Sequence, residues 1–342
     1  MVKVYFATNR RPDNRENPTD FGTDFNEDGL ASLRFGEAEV TGDELDTYSL
    51  KVAPEKIVKV STKERLPTLD TKQSTFGSAA VLSEIRQEML DQDRDTVIFV
   101  HGYNVSFHEA LTSAARLELN FSEQGLNVNV VLFSWPSDGS MMPFLAYGSD
   151  RQDAAASGPA FARGFLKLAD FLCEATKQDE CEQSIHLITH SMGNFVLRHA
   201  VQEIVKQSPG RPPRVFDQVL MMAADEDDDT FEYAHKLQPL PKLAKRVNVY
   251  FNNEDLAMTI SDKTKGHPDR LGADGPRLPR QVPGKVTQID CTPVVRGVLE
   301  HSYFLECPRV VKDMVQVLAG KAPNEVEGRN YDPASNHYRL TP

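Results

Sequence analysis

Ser184-Ile185-His186-Leu187-Ile188-Thr189-His190, followed by Ser191-Met192-Gly193-Asn194, is the passage on which the reading of this chain turns. Its first part predicts a strand. The residues beyond it place Met192, Phe195, Val196, His199, Ala200 and Ile204 on one helical stripe, at i, i+3, i+4, i+7, i+8 and i+12. A serine on a sharp strand-to-helix turn exposes its hydroxyl at the top of the sheet, where it can act as a nucleophile. Gly193 supplies one of the small neighbours such a turn needs, and Thr189 stands where the Gly-x-Ser-x-Gly pattern has its other glycine. A serine is also a favoured helix cap with no chemistry at all. Five residues alone divide evenly between the two readings.

Working outward, the same alternation recurs. Thr96–Val100 is a β-branched apolar run of the kind buried on both faces of a parallel sheet. It ends at His101-Gly102-Tyr103-Asn104, and a helix is expected from about Ser106 to Asn120. Asn127–Trp135, Val215–Ala223, Arg246–Asn252 and Lys285–Asp290 read as further strands, with helices near Ala160–Glu174 and Pro308–Ala319. The fold class is therefore α/β, a mostly parallel central sheet with helices on both faces. Ligands bind such sheets in the loops beyond the carboxyl ends of the strands. Residues 1–320 are expected to form a single domain, in which residues 1–90 supply N-terminal edge strands and a polar loop. Residues 137–159 and 261–284 are expected on the rim of a pocket, and residues 321–342 as a surface arm.

Composition narrows the function. The 342 residues carry 38 basic and 50 acidic side chains, a formal charge of −12, which disfavours nucleic acid as a partner. No apolar run is long enough to span a membrane, so no integral membrane association is expected. The opening residues lack the basic start and apolar stretch of a signal peptide. Cys173, Cys181, Cys291 and Cys307 show no Cys-x-x-Cys spacing and read as free thiols of a reducing compartment, which makes the cytoplasm the expected location. Oligomeric state is not legible.

A serine hydroxyl needs a histidine to take its proton and an acid to orient that histidine. The chain order for this kind of sheet is nucleophile, acid, base. Asp255 follows the strand Arg246–Asn252, and His301 follows Lys285–Asp290. Both stand where the geometry asks. Asp225, at the end of the preceding strand, is the alternative acid, with Glu254 a third option. The oxyanion hole needs two backbone N–H donors, expected from Met192 and from Tyr103 in the loop after Thr96–Val100. Trp135, Asn104 and His190 are expected near the substrate, although core packing explains Trp135 almost as well. The run Asp225-Glu226-Asp227-Asp228-Asp229 suggests a cation site, but it lacks the spacing of a calcium loop and reads better as the acidic opening of a helix. No metal and no cofactor are expected.

The phrases Phe6-Ala7-Thr8-Asn9-Arg10, His101-Gly102-Tyr103-Asn104, Phe133-Ser134-Trp135-Pro136-Ser137, His190-Ser191-Met192-Gly193-Asn194, Asp255-Leu256-Ala257, Arg270-Leu271-Gly272 and His301-Ser302-Tyr303-Phe304 occur in one order. Together they resemble the bacterial α/β-hydrolase group known as the domain of unknown function 900 family, which is esterase- or lipase-like. The resemblance spans from about Val4 to the final helix. It implies an α/β-hydrolase fold, no cofactor, and a serine triad carried by Ser191, Asp255 and His301. The expected activity is hydrolysis of a small-molecule carboxylic ester, or of a thioester or amide, through an acyl-enzyme. The rival is a non-catalytic scaffold of the same fold that binds a small molecule or a protein.

Overall fold

The computed structural model describes residues 1–42, 44–53, 77–137, 143–175, 182–255, 269–295 and 301–342. Among these, β1 (Val2–Thr8), β4 (Arg34–Thr41), β5 (Thr47–Val52), β6 (Asp95–Val100), β7 (Val128–Ser134), β8 (Ile185–His190), β9 (Phe216–Met222), β10 (Ala244–Phe251), β11 (Val286–Asp290), β12 (Arg329–Asp332) and β13 (His337–Leu340) build one sheet. Its order is β12-β13-β11-β10-β9-β8-β6-β7-β1-β4-β5. Every neighbouring pair from β13 to β1 is parallel, and the antiparallel pairs lie at the two ends.

Strand periodicity explains why both faces are covered. Side chains alternate across a strand, and on β6 Val97 and Phe99 join one core while Ile98 and Val100 join the other. One face is packed by α1 (Gly77–Gln92), α3 (Pro143–Ala175) and α4 (Gly193–Gln207), through Ile85, Phe161, Phe165, Val196 and Ile204. The other is packed by α2 (Phe107–Glu123), α6 (Tyr303–Glu306) and α7 (Pro308–Leu318), through Phe107, Leu111, Phe121, Phe304 and Met314. α7 shows how locally this is encoded. Pro308 at its first turn wastes no hydrogen bond, and Val310, Val311, Met314, Val317 and Leu318 form the buried stripe. Each such side chain contributes at most about 1.5–3 kcal/mol of burial. Among the described residues no helix is long and apolar enough to cross a membrane.

The structure differs from the sequence reading at both ends and in one helix. β1 is not at an edge, because it lies between β7 and β4, and the expected polar loop contains a hairpin of β2 (Arg10–Pro12) and β3 (Phe21–Phe25). Residues beyond Gly320, expected as an arm, instead supply β12 and β13. β13 pairs with β11, and Arg329 on β12 makes a buried two-pronged ion pair with Asp313 on α7. The segment 137–159 is mostly helix, since α3 begins at Pro143 and carries Pro159 inside it. Residues 261–268 of the second rim segment lie outside the described residues. Beyond them Arg270 is buried and opens α5 (Leu271–Asp274), whose first residues are buried too.

Candidate active site

Ser191 stands at the carboxyl end of β8 with a φ of +51°. A non-glycine residue rarely adopts that region, so the surrounding structure must hold it there. It does so from three sides. Ser191 N–H donates to Met222 O at 3.0 Å, and Ser191 O accepts Asp225 N–H at 3.1 Å and Asn194 Nδ2 at 3.1 Å. Asn194 also donates to Thr189 O and accepts the Thr189 hydroxyl at 2.6 Å. Thr189 therefore does not loosen the turn; its hydroxyl is a partner for the side chain that staples it. Gly193 is required by space, because a Cβ there would lie 2.6 Å from His101 O and 2.7 Å from Val100 O.

His301 Nδ1 lies 2.7 Å from Asp255 Oδ2, and the Asp255 carboxylate is buried. Carboxylates only accept, so Nδ1 carries a proton, and in the neutral imidazole the lone pair then lies on Nε2. Two further contacts hold the segment that carries His301. His190 Nε2–H donates to His301 O at 3.2 Å, with the two rings 4.7 Å apart. The Tyr303 hydroxyl accepts Ala223 N–H and donates to Tyr250 O, both at 3.0 Å, tying the following helix to the ends of β9 and β10. Burial, and then the neighbouring His301, push the His190 pKa well below its ordinary value, so its ring is neutral. Ser191 Oγ and His301 are not hydrogen-bonded to each other. Such contacts commonly tighten only when substrate is bound.

Two of the three residues expected near the substrate, Trp135 and His190, are interior. Trp135 is fully buried; its ring stacks on His101 at 5.3 Å and its Nε1–H donates to His101 O. It packs the core under the loop. His190 is 8% exposed and packs against His301. Asn104 is partly exposed at a φ of +57°, and its N–H donates to Asp150 Oδ2. His101 itself accepts Trp135 N–H at Nε2 and donates from Nδ1 to Gly102 O at 2.9 Å. Burial, and then the Arg10 charge, push its pKa down to about 3. Met192 caps α4, and Gly102 presses against Ser191, since a Cβ at Gly102 would lie 2.9 Å from Ser191 Cβ.

The alternative acid faces elsewhere. Asp225 accepts the Tyr147 hydroxyl and lies 3.4 Å from Arg270 Nε. The acidic run does not open a helix, contrary to the sequence reading. It is a bridge and turn whose carboxylates face cations brought from other elements: Arg198 reaches Glu226 and Asp227, Lys236 reaches Asp227 and Asp229, and Arg270 reaches Asp227. Burial lifts the Glu226 pKa to about 7. Burial also acts upward on Asp227, but the Lys236 hydrogen bond and the surrounding cations outweigh it and hold that carboxyl below its ordinary range. Asn194, Tyr303, Tyr147 and Asp150 were not singled out by sequence. Asn194 and Tyr303 do lie within the shared phrases, whereas Tyr147 and Asp150 carry no local signal.

Residues 78–321 match the family model described as an alpha/beta hydrolase of unknown function (DUF900). A stretch of 135 residues is 32% identical to an uncharacterized protein of Nostoc sp., covering 33% of this chain and 32% of that protein, so about a third of that relative's length is matched. Among solved structures, the chain is similar to Aspergillus fumigatus lipase B at 12% identity and a TM-score of 0.40, over 68% of this chain and 54% of the lipase. It is also similar to a Xanthomonas campestris protein described as a hydrolase of the alpha/beta superfamily, at 14% identity and a TM-score of 0.28, over 66% and 99% of the two chains. At those scores neither likeness bears on function.

Proposed function

The chain belongs to the DUF900 family of α/β hydrolases, and from that membership we propose that it is a serine hydrolase cleaving a carboxylic ester, or a thioester or amide, of a small molecule. The observation that carries this reading is the imidazole of His301, oriented by buried Asp255 and packed against His190, the residue before a serine held at positive φ. Ser191 attacks the carbonyl as His301 Nε2 takes its proton. Asp255 keeps the productive tautomer and stabilises the imidazolium that forms. Met192 N–H and Tyr103 N–H receive the oxyanion, where a single donor is worth about 3–4 kcal/mol of barrier. The imidazolium then protonates the leaving group, and water releases the acyl group by the reverse sequence of transfers. Asp225, turned to Tyr147 and Arg270, takes no part in this relay.

The same reading makes the cytoplasm its location, which the buried free thiols Cys291 and Cys307 support. The test is intact-mass analysis after a fluorophosphonate probe, on wild type, Ser191→Ala and His301→Ala. One adduct on wild type and none on the variants is expected. No adduct on folded wild type, under conditions that label a control hydrolase, would overturn the enzyme in favour of a binding scaffold.

A further inference from the structure

Building on the serine-hydrolase reading, we propose that Asp150 on α3 is a positioning residue that sets the direction of the oxyanion donor at Tyr103. Asp150 is fully buried. Its Oδ2 accepts Asn104 N–H at 3.2 Å and the Ser137 hydroxyl at 2.6 Å, while Ser137 Oγ accepts Val105 N–H at 3.2 Å. From a different element, buried Arg10 donates to Val105 O at 2.7 Å and to Ser137 O at 3.4 Å. The loop Gly102–Val105 is thus gripped between a carboxylate from α3 and a guanidinium from β2.

The grip has a geometric consequence. A peptide unit is planar and trans, so its N–H and C=O point in opposite directions. The His101 bond to Gly102 O fixes the peptide plane on the N-terminal side of Tyr103. The Asp150 bond to Asn104 N–H fixes the plane on its C-terminal side. The Tyr103 N–H lies in the first of these planes, and the Asp150 anchor on the second keeps the segment that carries it from swinging, on a loop that touches Ser191 through Gly102. Asn104 pays for this with a left-handed backbone that an asparagine adopts only at some cost. A carboxylate suits the task because hydrogen bonds to a charged acceptor are about twice as strong as neutral ones.

The test compares ester turnover of wild type, Asp150→Ala and Asp150→Asn, each rate divided by the number of serines that titrate with a fluorophosphonate. A merely structural role would lower the titratable fraction and leave the rate per serine unchanged. The expected result is a kcat per serine about thirtyfold or more lower in Asp150→Ala, with KM within about threefold. Asp150→Asn, which keeps a neutral acceptor in the same place, is expected to recover to within about tenfold of wild type. Should Asp150→Ala fail to fold, Ser137→Ala decides, with kcat expected to fall about three- to tenfold. Rates per serine within about threefold of wild type in the variants that fold would overturn the role of Asp150 alone. A wild type that neither titrates nor turns over would instead overturn the hydrolase reading, and this inference with it.

Discussion

Gly193→Ala tests whether the elbow is as tightly built as its backbone geometry says. An added Cβ would lie 2.6 Å from His101 O and 2.7 Å from Val100 O, against a comfortable limit of 3.4 Å. Both are backbone oxygens at the end of β6, which is hydrogen-bonded on both sides to β7 and β8 and cannot swing aside. The start of α4 and the end of β6 must therefore part by ~0.7 Å in an interior packed like a crystal. Overpacking of this kind costs about 1–3 kcal/mol. Catalysis should suffer separately, since a displacement of ~1 Å at the reacting groups can cost about a hundredfold in rate. Urea unfolding measures the first effect and ester turnover per titrated serine the second. Gly148→Ala, on the exposed side of α3 with open space at its Cβ position, is the control. It is expected to be neutral or stabilising by up to about 1 kcal/mol. A Gly193→Ala protein within about 0.5 kcal/mol of wild type and within about threefold in rate would refute the reasoning.

Two further predictions follow from the carboxylates. Asp255→Asn should lower kcat by about 10³–10⁴-fold by losing the productive tautomer, whereas Asp225→Asn should retain at least about a tenth of the activity, and equal losses in steady-state turnover would mean that the acid is misassigned. Glu226, with its pKa lifted from 4.5 to about 7, holds in the native state a proton that the unfolded chain has already released, so stability falls as pH rises through that window. Glu226→Gln should lose less stability than wild type between about pH 5 and pH 8, by a difference of about 3 kcal/mol, and parallel denaturation curves across that range would contradict it.

The central strands were legible because a strand buried on both faces leaves an apolar run, as in Val97–Val100 and Val219–Ala223. The outer ones were not, for the opposite reason. β5 alternates between exposed and half-buried residues, and β12 has no fully buried residue. The N-terminal half of α3 was hidden differently. Ala154, Ser157, Gly158 and Pro159 look like loop residues, yet a Cβ at Gly158 would lie 2.4 Å from His199 Cβ. These small residues allow α3 and α4 to approach closely, and a composition that serves packing imitates a breaker. In the site, chain order alone pointed to Ser191, Asp255 and His301. It could not show that Trp135 and His190 are interior supports, because a side chain at a strand end can turn either way. Nor could it find Asp150, whose partners lie 46 and 13 residues away.

His301 lies about 110 residues beyond Ser191 along the chain. At ribosomal speeds of about 5–20 residues per second, Ser191 is added about 5–20 s before His301. During that interval the nascent chain can assemble the serine turn but has no proton acceptor for it. On the proposed reading, a polypeptide released before His301 would lack the proton acceptor and be inert as a hydrolase.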